Sequence, residues 1–110
     1  MRKLFLLGLF VCFANLLAAA NRPITETDFL KFQWVTDPQI SPDGRDVAYV
    51  LVQVNEKEDR YDTSLWSVAT SGSATPRRLT AGPRDSSPRW SPDGRTVAFV
   101  RAAGEKDKPE

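Results

Sequence analysis

Two serine–aspartate pairs are the residues whose types and spacing could do chemistry. Ser41 stands two residues before Asp43, and Ser91 two residues before Asp93. A serine needs a base to become a nucleophile, and two carboxylates can divide acid and base roles when a fold brings them together. The chain contains no histidine, and Cys12, its one cysteine, lies in an apolar N-terminal stretch. A Ser-His-Asp site, a Cys-His site and a zinc site of the usual His/Cys kind are therefore excluded from this chain.

Both pairs belong to the sequence Ser-Pro-Asp-Gly, which favours a tight turn. Serine at the first turn position can bond back to the backbone, proline presets φ at the second, and glycine accepts the positive φ that follows. We therefore interpret Asp43 and Asp93 as turn residues rather than paired catalytic carboxylates. Ser41 and Ser91 are interpreted in the same way, because no base is present to activate them.

Three further groups of residues have both a functional and a structural interpretation. The acidic side chains of segment 55–63 could bind calcium, but they lack the spacing and the glycine of a calcium loop. Two arginines could grip an anion, and two tryptophans could stack on a ligand. We favour a solvated loop, exposed strand arginines, and tryptophans that pack in the core or between repeated units. The residues concerned are Glu56, Glu58, Asp59, Asp62, Arg77, Arg78, Trp66 and Trp90. We predict no catalytic, cofactor-binding or metal-binding residue in this chain, and no cofactor.

An internal repeat is the most informative feature of the sequence. Residues 40–50 recur as residues 90–100 with eight of the eleven positions identical. Pro38 matches Pro88 at the same offset of 50 residues. A match of this length indicates a repeated structural unit.

Strand signals fill each 50-residue period. Apolar, β-branched runs follow each Ser-Pro-Asp-Gly turn. Between the two copies of the repeat lie a segment of alternating apolar and polar residues and a short Arg-Leu-Thr segment, and a charged loop and a Gly-containing turn separate these strand candidates. In order, these segments are 47–54, the charged loop 55–63, 64–69, the turn 70–73, 77–80 and 97–101. Four short antiparallel strands per period are typical of a β-propeller blade. We predict an all-β partial propeller, one four-stranded antiparallel blade plus the start of a second; the alternative is a fragment of a β-sandwich.

The N-terminus predicts a secretory signal peptide. Arg2 and Lys3 precede an almost unbroken apolar stretch, residues 4–17, and three alanines follow it. This pattern predicts cleavage after Ala20 and a secreted or periplasmic protein. A membrane anchor is the alternative, but the stretch falls short of the roughly 20 apolar residues that a spanning helix needs, and Asn15 interrupts it.

A short helix is expected before the first strand. Thr25 and Asp28 resemble a capping box with Asp in place of the usual Glu, which predicts a helix from Thr27 to about Gln33. Pro38 marks the end of this segment. The predicted organisation is a signal peptide (1–20), an N-terminal segment with a short helix (21–38) and an incomplete propeller (39–110), divided into a first blade at about 39–86 and the start of a second at 87–110.

Charge and composition narrow the function classes. The whole chain carries a net charge of +1, and removal of the leader with Arg2 and Lys3 leaves 13 basic and 14 acidic residues. A nucleic-acid partner normally requires a clustered basic face, so we expect none. Without the leader the chain is only about one-third apolar, which is low for a self-sufficient core.

The repeated motifs resemble the start of the propeller domain of S9-family serine peptidases, the prolyl oligopeptidase clan, and above all its acylaminoacyl-peptidase and dipeptidyl-peptidase-like members. The resemblance rests on the order of Ser-Pro-Asp-Gly with an apolar strand, a charged loop, Leu65-Trp66, Arg-Leu-Thr and Trp-Ser-Pro-Asp-Gly, and covers residues 27–100. TolB-like periplasmic propellers, which bind proteins, carry the same Trp-Ser-Pro-Asp-Gly repeat and are the alternative.

The resemblance implies a non-catalytic part of a larger enzyme. Such peptidases carry their Ser-Asp-His triad in a C-terminal α/β-hydrolase domain, and the propeller restricts access to short peptides. No Gly-x-Ser-x-Gly elbow occurs in this chain, so we expect a truncated N-terminal piece. Its expected partners are a peptide substrate of the full-length protein and the protein's own hydrolase domain, with no nucleic acid and no membrane after signal cleavage. Because exposed sheet edges and faces promote association, we expect residues 21–110 alone not to form a stable monomer.

Overall fold

The computed structural model describes residues 21–104. The predicted signal peptide, residues 1–20, lies outside this range, so its cleavage after Ala20 stays a prediction. Within residues 21–104, no helix is both long enough and apolar enough to cross a membrane.

Strands make up most of the described chain. Its helical parts are α1 (Glu26–Phe29) and a 3-10 turn (Glu56–Glu58). The strands are β1 (Gln33–Ile40), β2 (Asp46–Asn55), β3 (Arg60–Ala69), β4 (Arg77–Arg78), β5 (Asp85–Trp90) and β6 (Val97–Arg101). They form a four-stranded antiparallel sheet in the order β1-β2-β3-β4 and a two-stranded antiparallel sheet of β5 and β6. The predicted all-β chain, with one four-stranded sheet and the start of a second, is confirmed.

The N-terminal helix is shorter than the sequence pattern predicts. The backbone N–H of Thr25 donates to the Asp28 carboxylate at 2.9 Å, as expected for the capping box. The helix nevertheless ends at Phe29 rather than near Gln33. From Gln33 onward the chain pairs with β2. A single helical turn is weakly stable by itself, so pairing with a neighbouring strand determines the conformation there.

Strand β1 contains a proline, which in the sequence indicates a boundary rather than a strand. Pro38 lies inside β1, at the edge of the sheet, where a missing backbone N–H is tolerated. A β-bulge accommodates it, and the preceding Asp37 has a φ of 46°. The first sheet therefore begins at Gln33 and not near residue 39, inside the segment predicted as 21–38. The same bulge recurs 50 residues on in β5, where Ser87 has a φ of 54° before Pro88.

The long hairpin of β2 and β3 also exceeds its sequence pattern. The two strands pair without interruption from Asp46 with Ala69 to Asn55 with Arg60. The segment predicted as a charged loop, 55–63, is therefore mostly strand, with the 3-10 turn as its connection. Within that segment, Asp62 and Thr63 pair directly with residues of β2.

The first sheet has two different faces. Its inner face carries the buried core residues Ala48, Val50, Val52 and Leu65. Leu79 and Val97 pack against this core, so the β5–β6 hairpin covers the inner face. Because side chains alternate along a strand, the intervening residues form an opposite, outer face. The outer face consists of Val35, Ile40, Val47, Tyr49, Leu51, Trp66 and Val68.

Candidate functional site

The two Ser-Pro-Asp-Gly turns have the same hydrogen bonds. In the first turn the Ser41 hydroxyl donates to the Asp43 carboxylate at 2.6 Å and accepts from the backbone N–H of Asp46 at 3.0 Å. The same carboxylate oxygen accepts from the backbone N–H of Arg45 at 3.0 Å. The Ser41 hydroxyl and, after it, the Arg45 N–H hold the pKa of Asp43 below its usual range. Serine and aspartate are thus engaged in closing the turn.

The second turn repeats this geometry 50 residues later. The Ser91 hydroxyl donates to Asp93 at 2.5 Å and accepts from the Thr96 N–H at 3.0 Å. The bonds from Ser91 and from the Arg95 N–H lower the pKa of Asp93 as well. The structure therefore places all four residues of the serine–aspartate pairs in turns, at two separate hairpins.

Two acidic side chains of the segment between β2 and β3 pair with one arginine. Arg60 lies 2.6 Å from Glu58 and 2.8 Å from Asp62. The Asn55 side-chain amide donates to the other Asp62 oxygen at 2.7 Å. In residues 21–104, no three His, Cys, Asp or Glu side chains are grouped so that they could hold a metal ion. The segment is a set of ion pairs on a hairpin.

A groove separates the first sheet from the second hairpin. Its volume is about 350 Å³, and Leu65, Trp90, Val97 and Phe99 supply its apolar wall. Its polar lining comes from Asp46, Ser67, Arg77, Thr80 and Arg95. These groups suit an apolar group with a polar rim, whereas the lining residues contain no histidine or cysteine that could activate a nucleophile. The groove is therefore a space between the two sheets with an apolar wall and a polar rim.

The predicted tryptophans lie on different sides of the first sheet. Trp90 bridges the two sheets, because its indole N–H donates to the Gln39 carbonyl at 2.9 Å. Trp66 lies on the outer face, where its N–H donates to the Ser64 hydroxyl at 3.0 Å. Trp90 thus acts as the packing residue between repeated units that the repeat predicts. Of the paired arginines, Arg77 lines the groove, whereas Arg78 bonds to the Thr80 carbonyl at 2.8 Å.

An ion pair with a buried carboxylate is the feature that sequence reasoning missed. Asp85 has no exposed surface, and Arg101 donates to its two oxygens at 2.6 and 2.9 Å. The Gly82 N–H donates to it at 3.0 Å, and the Thr80 hydroxyl also bonds to it. The Arg101 bonds, helped by Thr80 and Gly82 and opposed by burial, lower the pKa of Asp85 to about 2.

The internal repeat holds the signal that could have identified this pair. Asp85 and Arg101 are cross-strand partners, and 50 residues earlier the equivalent partners are Val35 and Leu51. A charged pair at positions that are apolar in the first copy indicates a specific contact. Asp85 fastens β5 and β6 to the Gly82 turn and, through Thr80, to strand β3, because the Leu65 N–H donates to the Thr80 hydroxyl at 3.0 Å.

Comparison with known proteins gives a relationship over most of the chain. No protein-family model matches it. The chain is 43% identical over 77 residues to a protein of Bacillus subtilis (strain 168) named uncharacterized peptidase YuxL. The match covers 70% of this chain and 12% of the Bacillus protein. The chain is therefore related to a peptidase, of whose length it spans about an eighth.

Proposed function

We propose that this chain is the non-catalytic N-terminal β-propeller part of a secreted S9-family serine peptidase, resembling the acylaminoacyl and dipeptidyl peptidases. Hydrolysis of peptides belongs to an α/β-hydrolase domain of the longer protein, and the propeller limits access to that domain to short peptides. The observation that carries the proposal is the 43% identity to a protein named as a peptidase.

The arrangement of the two sheets supports the propeller part of this proposal. A propeller is built from four-stranded antiparallel sheets that pack face to face around an axis. Here a four-stranded antiparallel sheet is followed after a short connection by a hairpin that packs on its inner face. The Trp90–Gln39 bond and an ion pair between Arg89 and Asp37 at 3.0 Å join the two units.

The chemistry of the described residues supports a non-catalytic role. The serines and aspartates of the repeated turns bond to each other and to the backbone, and the groove lining contains no histidine. Catalysis of peptide hydrolysis by a serine needs such a base and an oxyanion site. We assign both to the longer protein.

The N-terminal pattern supports export. A positive start, an apolar stretch and an alanine-rich end are typical of a signal peptide, and the proposed mature chain begins at Asn21. Intact mass spectrometry of the exported protein tests this step, because cleavage after Ala20 removes residues 1–20. An exported protein that retains them contradicts it.

The complete reading frame provides the decisive test of the peptidase assignment. We expect a Gly-x-Ser-x-Gly elbow and a later histidine beyond residue 110. The full-length protein should hydrolyse peptide p-nitroanilides and react with a fluorophosphonate probe, and replacement of the elbow serine by alanine should abolish both. The 110-residue chain should do neither, and a folded protein substrate should be cleaved far more slowly than a short peptide.

A different result would assign the chain to another class. A complete frame of propeller repeats without a hydrolase domain contradicts the peptidase proposal and favours a TolB-like protein-binding module. Equal rates for a folded protein and a short peptide contradict the gating role alone.

A further inference from the structure

The two Ser-Pro-Asp-Gly turns each contain an Asp-Gly bond, at Asp43-Gly44 and at Asp93-Gly94. An aspartate before glycine is chemically labile, because glycine has no side chain to keep its own backbone nitrogen away from the aspartate carboxyl group. A Cβ built at Gly44 would meet nothing within 4 Å, and both aspartates are exposed to solvent. These two bonds are therefore the places where the chain is open to spontaneous isomerisation.

Isomerisation needs two groups that are free to react. The glycine nitrogen forms a bond to the side-chain carboxyl carbon of the aspartate, and the nitrogen's proton leaves with the carboxyl hydroxyl as water, which gives a five-membered succinimide. Water then adds to the ring and breaks one of its two C–N bonds, so that the product is either aspartate or isoaspartate. The reaction therefore requires an unengaged glycine nitrogen and a neutral carboxyl group, whose hydroxyl is the leaving group.

The glycine nitrogen is hydrogen-bonded in both turns. The backbone N–H of Gly44 donates to the Ser41 carbonyl at 2.9 Å, and the N–H of Gly94 donates to the Ser91 carbonyl at 2.9 Å. On the other side of Gly44, its own carbonyl accepts a hydrogen bond from the Thr70 hydroxyl at 2.8 Å. Attack on the carboxyl carbon requires the glycine N–H to give up its bond to the serine carbonyl.

The carboxylate is hydrogen-bonded as well, and the serine hydroxyl is its donor. Ser41 donates at 2.6 Å to the oxygen of Asp43 that also accepts the Arg45 N–H at 3.0 Å. In the second turn, Ser91 donates to Asp93 at 2.5 Å. Bonds of this kind favour the ionised carboxylate and lower the pKa of both aspartates. The hydroxyl therefore fixes the position of the carboxylate and reduces the fraction of the reactive neutral form.

We propose that the Ser41 and Ser91 hydroxyls protect the Asp-Gly bonds of their own turns from isomerisation, in addition to closing the turns. Asp43 and Asp93 are then sites of covalent modification that become reactive when the turn opens. Isoaspartate would lengthen the backbone between two strands whose register is fixed on both sides of the turn. The protection depends on contacts within each turn and is independent of any peptidase activity.

Replacement of either serine by alanine removes one protecting hydroxyl and leaves the other turn as an internal control. Ser91→Thr keeps the hydroxyl, at a partly exposed position with room for the added methyl group. Ser71→Ala, which removes an exposed hydroxyl bonded to Ser73 outside both turns, is the matched control. Where Ser41→Ala fails to fold by circular dichroism, Ser91→Ala provides the test, because Ser91 is less buried than Ser41.

Incubation in heavy-oxygen water at neutral pH, followed by digestion in ordinary water and mass spectrometry, measures the reaction at each aspartate, because hydrolysis of the succinimide adds a labelled oxygen. Blocked synthetic peptides of residues 39–47 and 89–97 are the unfolded references. In the chain and in Ser71→Ala, labelling of Asp43 and Asp93 should be at least about tenfold slower than in the peptides. Ser41→Ala should accelerate labelling of Asp43 alone by about tenfold, and Ser91→Ala that of Asp93 alone. Ser91→Thr should stay slow, and the alanine substitution in either peptide should leave its rate unchanged.

Four results would each overturn the proposal. Labelling that is as fast in the chain as in the peptides shows that the turns give no protection. A folded alanine variant that leaves labelling of its own turn unchanged, or raises it equally in both turns, shows that the hydroxyl does not act locally. A Ser91→Thr variant as fast as Ser91→Ala assigns the effect to the shape of the side chain. A faster reaction in the alanine peptides assigns it to the local sequence rather than to the folded turn.

Discussion

The carboxylate of Asp85 links the second hairpin to the Gly82 turn and to Thr80. Its carboxylate accepts hydrogen bonds from Arg101 on β6, from the Gly82 backbone and from Thr80. Asp85→Asn removes the charge that Arg101 pairs with and cannot accept all of these bonds. We expect a loss of about 1–3 kcal/mol in the free energy of unfolding, measured by urea denaturation at equal chain concentration. Asp37→Asn, which breaks the more exposed pair with Arg89, should cost less than about 1 kcal/mol, and an equal loss in both variants contradicts this role.

The same residue predicts an acid-sensitive contribution to stability. The pKa of Asp85 falls from an ordinary value of 3.8 to about 2 in the folded chain, chiefly through Arg101. A carboxylate with a lowered pKa stabilises the fold above its unfolded pKa, and this stabilisation is lost as the pH falls through the folded pKa. The difference in melting temperature between the chain and Asp85→Asn should therefore be constant above about pH 5 and shrink between about pH 4 and 2. A difference that stays constant down to pH 2 contradicts the assignment.

Two glycines with the same φ separate backbone strain from steric contact. Gly44 and Gly82 both have a φ of +72°, which side-chain-bearing residues adopt at a cost. A Cβ at Gly44 meets nothing within 4 Å, whereas one at Gly82 would lie 2.6 Å from the Thr63 carbonyl oxygen. Gly44→Ala should cost about 1–2 kcal/mol and Gly82→Ala clearly more, as measured by thermal denaturation. Equal costs would show that the Gly82 turn moves away freely.

At the scale of the element, the repeated bulge is the feature that can be tested. Ser87 has a φ of 54°, and Ser86 beside it lies in the extended ladder opposite Val100. Glycine relieves strain at the first position and only adds chain entropy at the second. Relative to Ser86→Gly, the Ser87→Gly variant should be more stable by about 1 kcal/mol or more, from urea midpoints. A less stable Ser87→Gly variant would mean that the serine side chain itself supports the bulge.

The elements also show how much of the fold the sequence predicts. The Ser-Pro-Asp-Gly turns and the runs after them predict the β1–β2 and β5–β6 turns and strands β2 and β6 closely, because turn chemistry and β-branched runs are local signals. The sequence does not predict strand β1, because Pro38 indicates a boundary and the bulge that accommodates it depends on pairing with β2. The helix is shorter than its capping pattern predicts for the same reason, because strand pairing depends on residues that are distant in the sequence.

The candidate site is likewise predictable from the sequence only in part. The turn roles of Asp43 and Asp93 follow from their own tetrapeptides, and the structure places them there. The groove depends on how one unit lies on the other, and the Asp85–Arg101 pair depends on the register between β5 and β6. Only the comparison of Asp85 and Arg101 with the apolar residues 50 positions earlier points to them in advance.

At the scale of the whole molecule, we expect the melting temperature to depend on self-association. A chain that presents an uncovered outer face gains stability when a second copy covers it, since anything that binds only the folded state raises the melting temperature. We expect the midpoint of thermal unfolding to rise with chain concentration, by up to about 5 °C per tenfold increase where association is populated. Ile40→Lys should weaken this dependence, because a charge on the outer face disfavours its burial against another copy while leaving the core residues Val50 and Leu65 unchanged. A midpoint that is independent of concentration, with a single cooperative transition from a monomer, would show that one four-stranded sheet and one hairpin suffice as a stable unit.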